Sequence, residues 1–84
     1  MMMSSLQYSV LRMLQFEMLT ISAISQRIGL DPSSILRIID SLERNGLVLR
    51  GVDPRDRRRN PIQITKKGQE LIATIRVISE KDPT

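Results

Sequence analysis

The sequence predicts a mainly α fold with one small β-hairpin, in the order of a winged helix-turn-helix. Three observations carry this reading. Apolar residues recur at helical spacing in four segments, separated by capping residues and glycines. One separator, Gly29-Leu30-Asp31-Pro32, is a tight turn between two of the helices. Two short β-prone runs then flank a charged loop. With 84 residues, the chain has room for one domain, taken as 1–84, and 40% hydrophobic residues suffice for one small core.

The first helix is expected over 4–16, with Leu6, Val10, Met13 and Leu14 as its apolar positions and Ser4 or Ser5 as its cap. Glu17 to Thr20 reads as a link. A shorter helix follows from about Ser22 to Ile28 and stops at Gly29, which tolerates the left-handed conformation that closes a helix. Asp31 can cap the next helix, and Pro32 suits its first position because its missing N–H would have no partner there. That helix spans about 32–45, with Ile35, Ile38, Ile39 and Leu42 as its buried stripe and Asn45-Gly46 as its stop. The hairpin occupies about 47–65, where Leu47 to Arg50 and the alternating Ile62-Gln63-Ile64 supply the strands. Thr65 can cap a last helix over about 66–80, which carries Leu71, Ile72, Ile75 and Ile78.

Composition excludes several classes of function. There is no Cys and no His, which removes disulfides, thiol chemistry, imidazole or thiolate metal sites and every triad built on His. Glu17, Glu43 and Glu70 lie far apart, so no carboxylate pair suggests acid–base catalysis. No enzyme activity, metal or cofactor is expected. Tyr8 and Phe16 are the only aromatic residues, too few to stack unpaired bases. No apolar run approaches the roughly 20 residues that span a bilayer. The first residues lack the basic-then-apolar pattern of a secretion signal, so a cytoplasmic protein without membrane contact is expected.

The positive charge is concentrated. Arg50, Arg55, Arg57, Arg58, Arg59, Lys66 and Lys67 share a window with only Asp53 and Asp56. The whole chain is +4, so the rest is close to neutral. A local basic patch of this kind suggests a polyanion, whereas a bland reading is a solvated loop.

The neighbouring elements favour the polyanion. In a helix-turn-helix, the first helix braces the second, and the start of the second enters the major groove of DNA. Here the second begins Pro32-Ser33-Ser34, with Arg37 one turn in. Small residues permit close approach, serine hydroxyls can bond phosphate or bases, and an arginine can fork onto guanine or clamp phosphate. The alternative for this helix alone is an ordinary amphipathic element of an α-rich core. The hairpin that follows tips the balance. Its tip holds Arg55, Arg57, Arg58 and Arg59, and arginine suits the backbone and the narrow minor groove. Lys66 and Lys67 extend the phosphate-holding set. Asp53 and Asp56 would repel phosphate if they projected outward, so they are expected to shape the wing, one of them pairing with a neighbouring arginine.

Three stretches together are specific: Leu42-Glu43-Arg44-Asn45-Gly46-Leu47-Val48, Asp53-Pro54-Arg55-Asp56-Arg57-Arg58, and Ile64-Thr65-Lys66-Lys67-Gly68. From Val10 to Gly68 the chain resembles the winged-helix DNA-binding core of MarR-type transcriptional regulators, shortened at both ends. The resemblance implies that Asp56 is the wing aspartate and Arg58 the wing arginine that enters the minor groove. It also implies that Ser33, Ser34 and Arg37 face the major groove. In the family, outer helices form the dimer interface and part of a ligand pocket. The lack of Cys excludes the family's thiol-sensing switch here.

Two readings of the terminal helices stay open. Val10, Leu11, Met13 and Leu14 in the first, with Leu71, Ile72, Ile75, Val77 and Ile78 in the last, either cover an aromatic-poor core or form a two-fold homodimer interface. The expected function is sequence-specific binding of double-stranded DNA as a transcriptional regulator, with repression by operator occupancy. The alternative is a winged-helix protein–protein interaction module that binds another regulator or the transcription machinery.

Overall fold

The computed structural model describes residues 3–56 and 59–81, with side chains as far as Ile75. The elements run α1 (Ser5–Met13), α2 (Ile21–Ile28), α3 (Pro32–Arg44), β1 (Val48–Arg50), β2 (Ile62–Ile64) and α4 (Lys66–Lys81). This is the mainly α fold with one antiparallel hairpin that the sequence predicts.

Local chemistry explains the helix starts. Ser4 and Gln7 form a reciprocal capping box, in which the Ser4 hydroxyl accepts the Gln7 N–H at 3.1 Å and Gln7 Oε1 accepts the Ser4 N–H at 3.0 Å. Asp31 caps α3 by accepting the Ser34 N–H, with Pro32 at the first position. Gly29 closes α2 in the left-handed region at φ 83°. Thr65 caps α4 by accepting the Gly68 N–H at 3.1 Å.

Three details depart from the sequence reading. The first helix ends at Met13, short of residue 16, because the chain turns over 14–16. In that turn the Gln15 carbonyl accepts Gln69 Nε2 at 3.0 Å, a contact with α4. The buried face of α1 is also rotated: Val10, Leu11 and Leu14 are buried, whereas Leu6 is exposed and Met13 half-buried. Finally, the segment read as a plain link does two jobs. Thr20 caps α2 through the Ala23 N–H at 3.1 Å, and Leu19 bridges to Ile62.

That bridge joins the front of the helix-turn-helix to the hairpin. The Ile62 N–H donates to the Leu19 carbonyl at 2.7 Å, and the Leu19 N–H donates back at 3.2 Å. On its other edge, β2 pairs with β1 in the register Val48↔Ile64, Leu49↔Gln63 and Arg50↔Ile62. Ile62 is therefore both a backbone link and, at zero exposure, part of the core.

The core is wholly aliphatic. Val10, Leu11 and Leu14 of the α1 segment meet Ile24 of α2, Ile35, Ile39 and Leu42 of α3, Leu47, Val48 and Ile62 of the hairpin, and Ile72 of α4. Phe16 takes no part, being 82% exposed. The Gln7 amide donates to the Ser41 hydroxyl at 2.9 Å and ties α1 across to α3.

Candidate nucleic-acid interface

The turn between α2 and α3 is held from inside. The hydroxyl of Ser25, the one buried polar residue among the described ones, donates to the Leu30 carbonyl, while the Gly29 N–H donates to the Ser25 carbonyl at 2.8 Å. These bonds fix the angle at which α3 leaves α2. With Ile35, Ile39 and Leu42 buried, the opposite face of α3 presents Ser33, Leu36, Arg37, Asp40, Glu43 and Arg44.

The predicted readers on α3 are not equivalent. Ser33 and Arg37 are exposed, and Arg37 makes no hydrogen bond or ion pair among the described residues. Ser34 is half-buried, and its hydroxyl donates to Asp31 Oδ1 at 2.7 Å. That proton is committed to the cap, so only the oxygen's lone pairs remain to meet a ligand. The same bond, with the Ser34 N–H, holds the Asp31 carboxyl below the ordinary aspartate range. Sequence reasoning passed over Leu36, an apolar side chain 39% exposed beside Arg37. Its position just after buried Ile35 was the available signal.

In the wing, backbone pairing extends beyond the named strands. The Gly51 N–H donates to the Pro61 carbonyl at 2.8 Å, and the Asp53 N–H donates to the Arg59 carbonyl at 3.1 Å. A turn then closes through the Asp56 N–H to the Asp53 carbonyl and the Arg59 N–H to the Asp56 carbonyl. Asp53 Oδ1 accepts the Arg55 N–H at 2.8 Å, so this carboxylate orders the loop through a backbone donor. Asp56 is half-buried in the same turn. Arg55 and Arg59 are exposed; Arg57 and Arg58 lie outside the described residues. Arg59 and Asn60 line a shallow cleft with Thr20, Ile21 and Ser22 at the start of α2.

Lys66 and Lys67 occupy the first turn of α4, which carries no acidic residue, and both are exposed. Lysine is the wrong sign for a helix N-terminus, where the backbone N–H groups already leave a partial positive charge. Lys67 runs over Gly46 at the end of α3. This places the start of α4 against the end of the candidate reading helix.

Among the described residues of the basic window, Arg50 is the one whose guanidinium is paired. Its Nε donates to Glu43 Oε1 at 3.1 Å and its Nη2 to Asp40 Oδ1. Glu17 pairs with Arg27 in the same manner, at 2.7 Å. Among the described residues no three metal-ligating side chains gather, and no helix is long and apolar enough to cross a membrane.

An α2–turn–α3 unit with a hydrogen-bonded basic wing defines a winged helix-turn-helix of the transcriptional-regulator class. A profile of the MarR family matches residues 3–59, and the chain belongs to that family, one of regulators and not of enzymes. Over 54 residues the chain is 37% identical to a Thauera aromatica protein assigned by name to transcriptional regulation of the hcr operon. That match covers 64% of this chain and 32% of the relative, so the matched stretch spans about a third of that protein's length. The Staphylococcus aureus MepR–DNA complex superposes with a TM-score of 0.89 at 26% identity, over 94% of this chain and 66% of MepR. The transcriptional regulator BldR of Sulfolobus solfataricus gives 0.84 at 29% identity, over 94% and 60% of the two chains.

Proposed function

We propose that the chain is the DNA-reading part of a cytoplasmic MarR-family regulator that binds double-stranded DNA sequence-specifically and represses by occupying its operator. The observation that carries this is the exposed Arg37 on the outer face of α3, without a partner among the described residues, in a fold that superposes on a DNA-bound relative. In this reading α3 lies in the major groove. Ser33 and Arg37 meet base edges, and the lone pairs of Ser34 accept from whatever donor approaches. Leu36 is placed to touch a thymine methyl.

Arg55, Arg57, Arg58 and Arg59 hold the backbone or minor groove, with Asp53 and Asp56 setting the shape of the wing. The α2 N-terminus beside Arg59 combines a helix-dipole positive end with a guanidinium, which suits a phosphate of the strand that α2 crosses. Lys66 and Lys67 add further phosphate contacts. Two copies joined through α1 and α4 would place their reading helices about 34 Å apart, on a near-palindromic site.

Fluorescence anisotropy of a labelled duplex, titrated at several salt concentrations, tests the proposal. Binding should weaken steeply with salt, with a log–log slope of about −0.9 per neutralised phosphate. No binding at low salt would overturn it and assign the surface to a partner protein.

A further inference from the structure

We propose that Arg50 is a positioning residue that clamps the reading helix to the wing, and that it does not contact DNA itself. The inference rests on the DNA-binding reading above, but its structural half is tested without DNA. Arg50 is the last residue of β1, the strand that leads into the wing. Its guanidinium spans Asp40 and Glu43, three residues apart and so neighbours on the surface of α3. One planar fork thus fastens two points of α3 to the base of the wing. A lysine ammonium lacks this geometry.

Two further features fit a clamp. First, the pairing occupies the Arg50 charge, which explains why a residue inside the basic window is not available to phosphate. Second, it masks two carboxylates on the exposed surface of α3, where they would otherwise repel the polyanion that the helix reads. All three side chains are between about a third and a half exposed, so the pairs contribute little to global stability. What they restrict is the freedom of the wing relative to α3. Backbone bonds already hold the wing's far strand to Leu19, and Arg50 supplies the side-chain restraint on its near strand.

The chain has no cysteine, so two introduced thiols can be spin-labelled cleanly. Arg44→Cys on α3 and Val52→Cys in the wing, both exposed, report the separation of the two parts. Arg50→Ala and Arg50→Lys should both broaden the distance distribution in the free protein, while thermal melting stays within a few degrees of the parent. On duplex DNA, Arg50→Ala should lower affinity by about ten-fold with an unchanged salt slope. Asp40→Asn with Glu43→Gln should weaken binding as well, and adding Arg50→Ala to that pair should cost nothing more, because the same link is already broken.

An unchanged distance distribution overturns the clamp. A salt slope reduced by about 0.9 in Arg50→Ala, with tighter binding by the carboxylate double variant, makes Arg50 a phosphate contact instead. A broadened distribution in a protein that binds no duplex leaves the clamp standing and removes the DNA reading.

Discussion

Gly68 lies so close to Leu47 that a Cβ on the glycine would sit 2.5 Å from the Leu47 carbonyl oxygen and 2.6 Å from Ile64 Cγ1. The contact seats the first turn of α4 on the base of the hairpin. Thr65, which caps that turn, donates its hydroxyl to the Gly46 carbonyl at 2.6 Å and so ties it to the end of α3 as well. The Thr65-to-Gly68 spacing is thus a packing requirement of the wing and not only a helix start.

Gly68→Ala should destabilise the domain by about 1–3 kcal/mol, the usual cost of forcing a methyl group into a filled site. Helix propensity alone favours alanine over glycine by about 1 kcal/mol, so the two effects have opposite signs. Thermal melting decides between them. A drop of more than about 5 °C supports the close packing, and an unchanged or higher midpoint contradicts it.

Asp31 should make stability depend on pH in a known direction. The Ser34 hydroxyl and N–H lower its pKa in the folded chain. The ionised cap therefore stabilises fully above the ordinary aspartate value, near pH 4, and this contribution is lost as pH falls through the lower folded-state value. Asp31→Asn keeps the cap without the charge. The variant should melt below the parent at pH 7, and the gap should close in melts taken from pH 5 down to pH 2.

Lys66→Glu should separate stability from function. Replacing a cation by an anion in the first turn of α4 improves the match to the helix dipole, by about 0.3–1 kcal/mol. The same change should weaken duplex binding and reduce the salt slope by about 0.9. A melting point that rises while affinity falls is the expected pair of results. Affinity equal to that of the parent would remove Lys66 from the interface.

Arg37→Ala should relax base preference at one position of a motif selected from a random duplex library, at a cost of about 1–3 kcal/mol against the selected site. Leu36→Ala should leave the protein insensitive to replacing a contacted thymine by uracil, which removes only the methyl group. Retained sensitivity to uracil in that variant would mean that Leu36 does not touch the base.

Arg58→Ala should weaken binding more than Arg76→Ala, which lies outside the basic window. Equal affinities in parallel titrations would contradict the role that resemblance gives Arg58.

The helix starts and stops at Ser4, Gly29, Asp31-Pro32 and Thr65 were legible in the sequence, and so was the buried stripe of α3 except for Ile38, which is half-buried. In each case, the partners lie within four residues, so local chemistry and helical spacing decide the outcome. The two strands were legible from the β-prone Leu47-to-Arg50 run and the alternation of Ile62-Gln63-Ile64, and the wing from its charge, although the strand partners lie 12 to 16 residues apart. The sequence also concentrated the candidate DNA-contacting residues between Ser33 and Lys67, as the spacing of small and basic residues indicated. Tertiary structure alone decided the rest. Leu19 meets Ile62, 43 positions further along the chain, and the Gln69 amide donates to the Gln15 carbonyl in the turn after α1. Arg50 turns from the wing to Asp40 and Glu43. In each long-range case, a polar group had several partners of equal local merit. Only the packing of the aliphatic core, which sets where each backbone lies, determined which one came within reach.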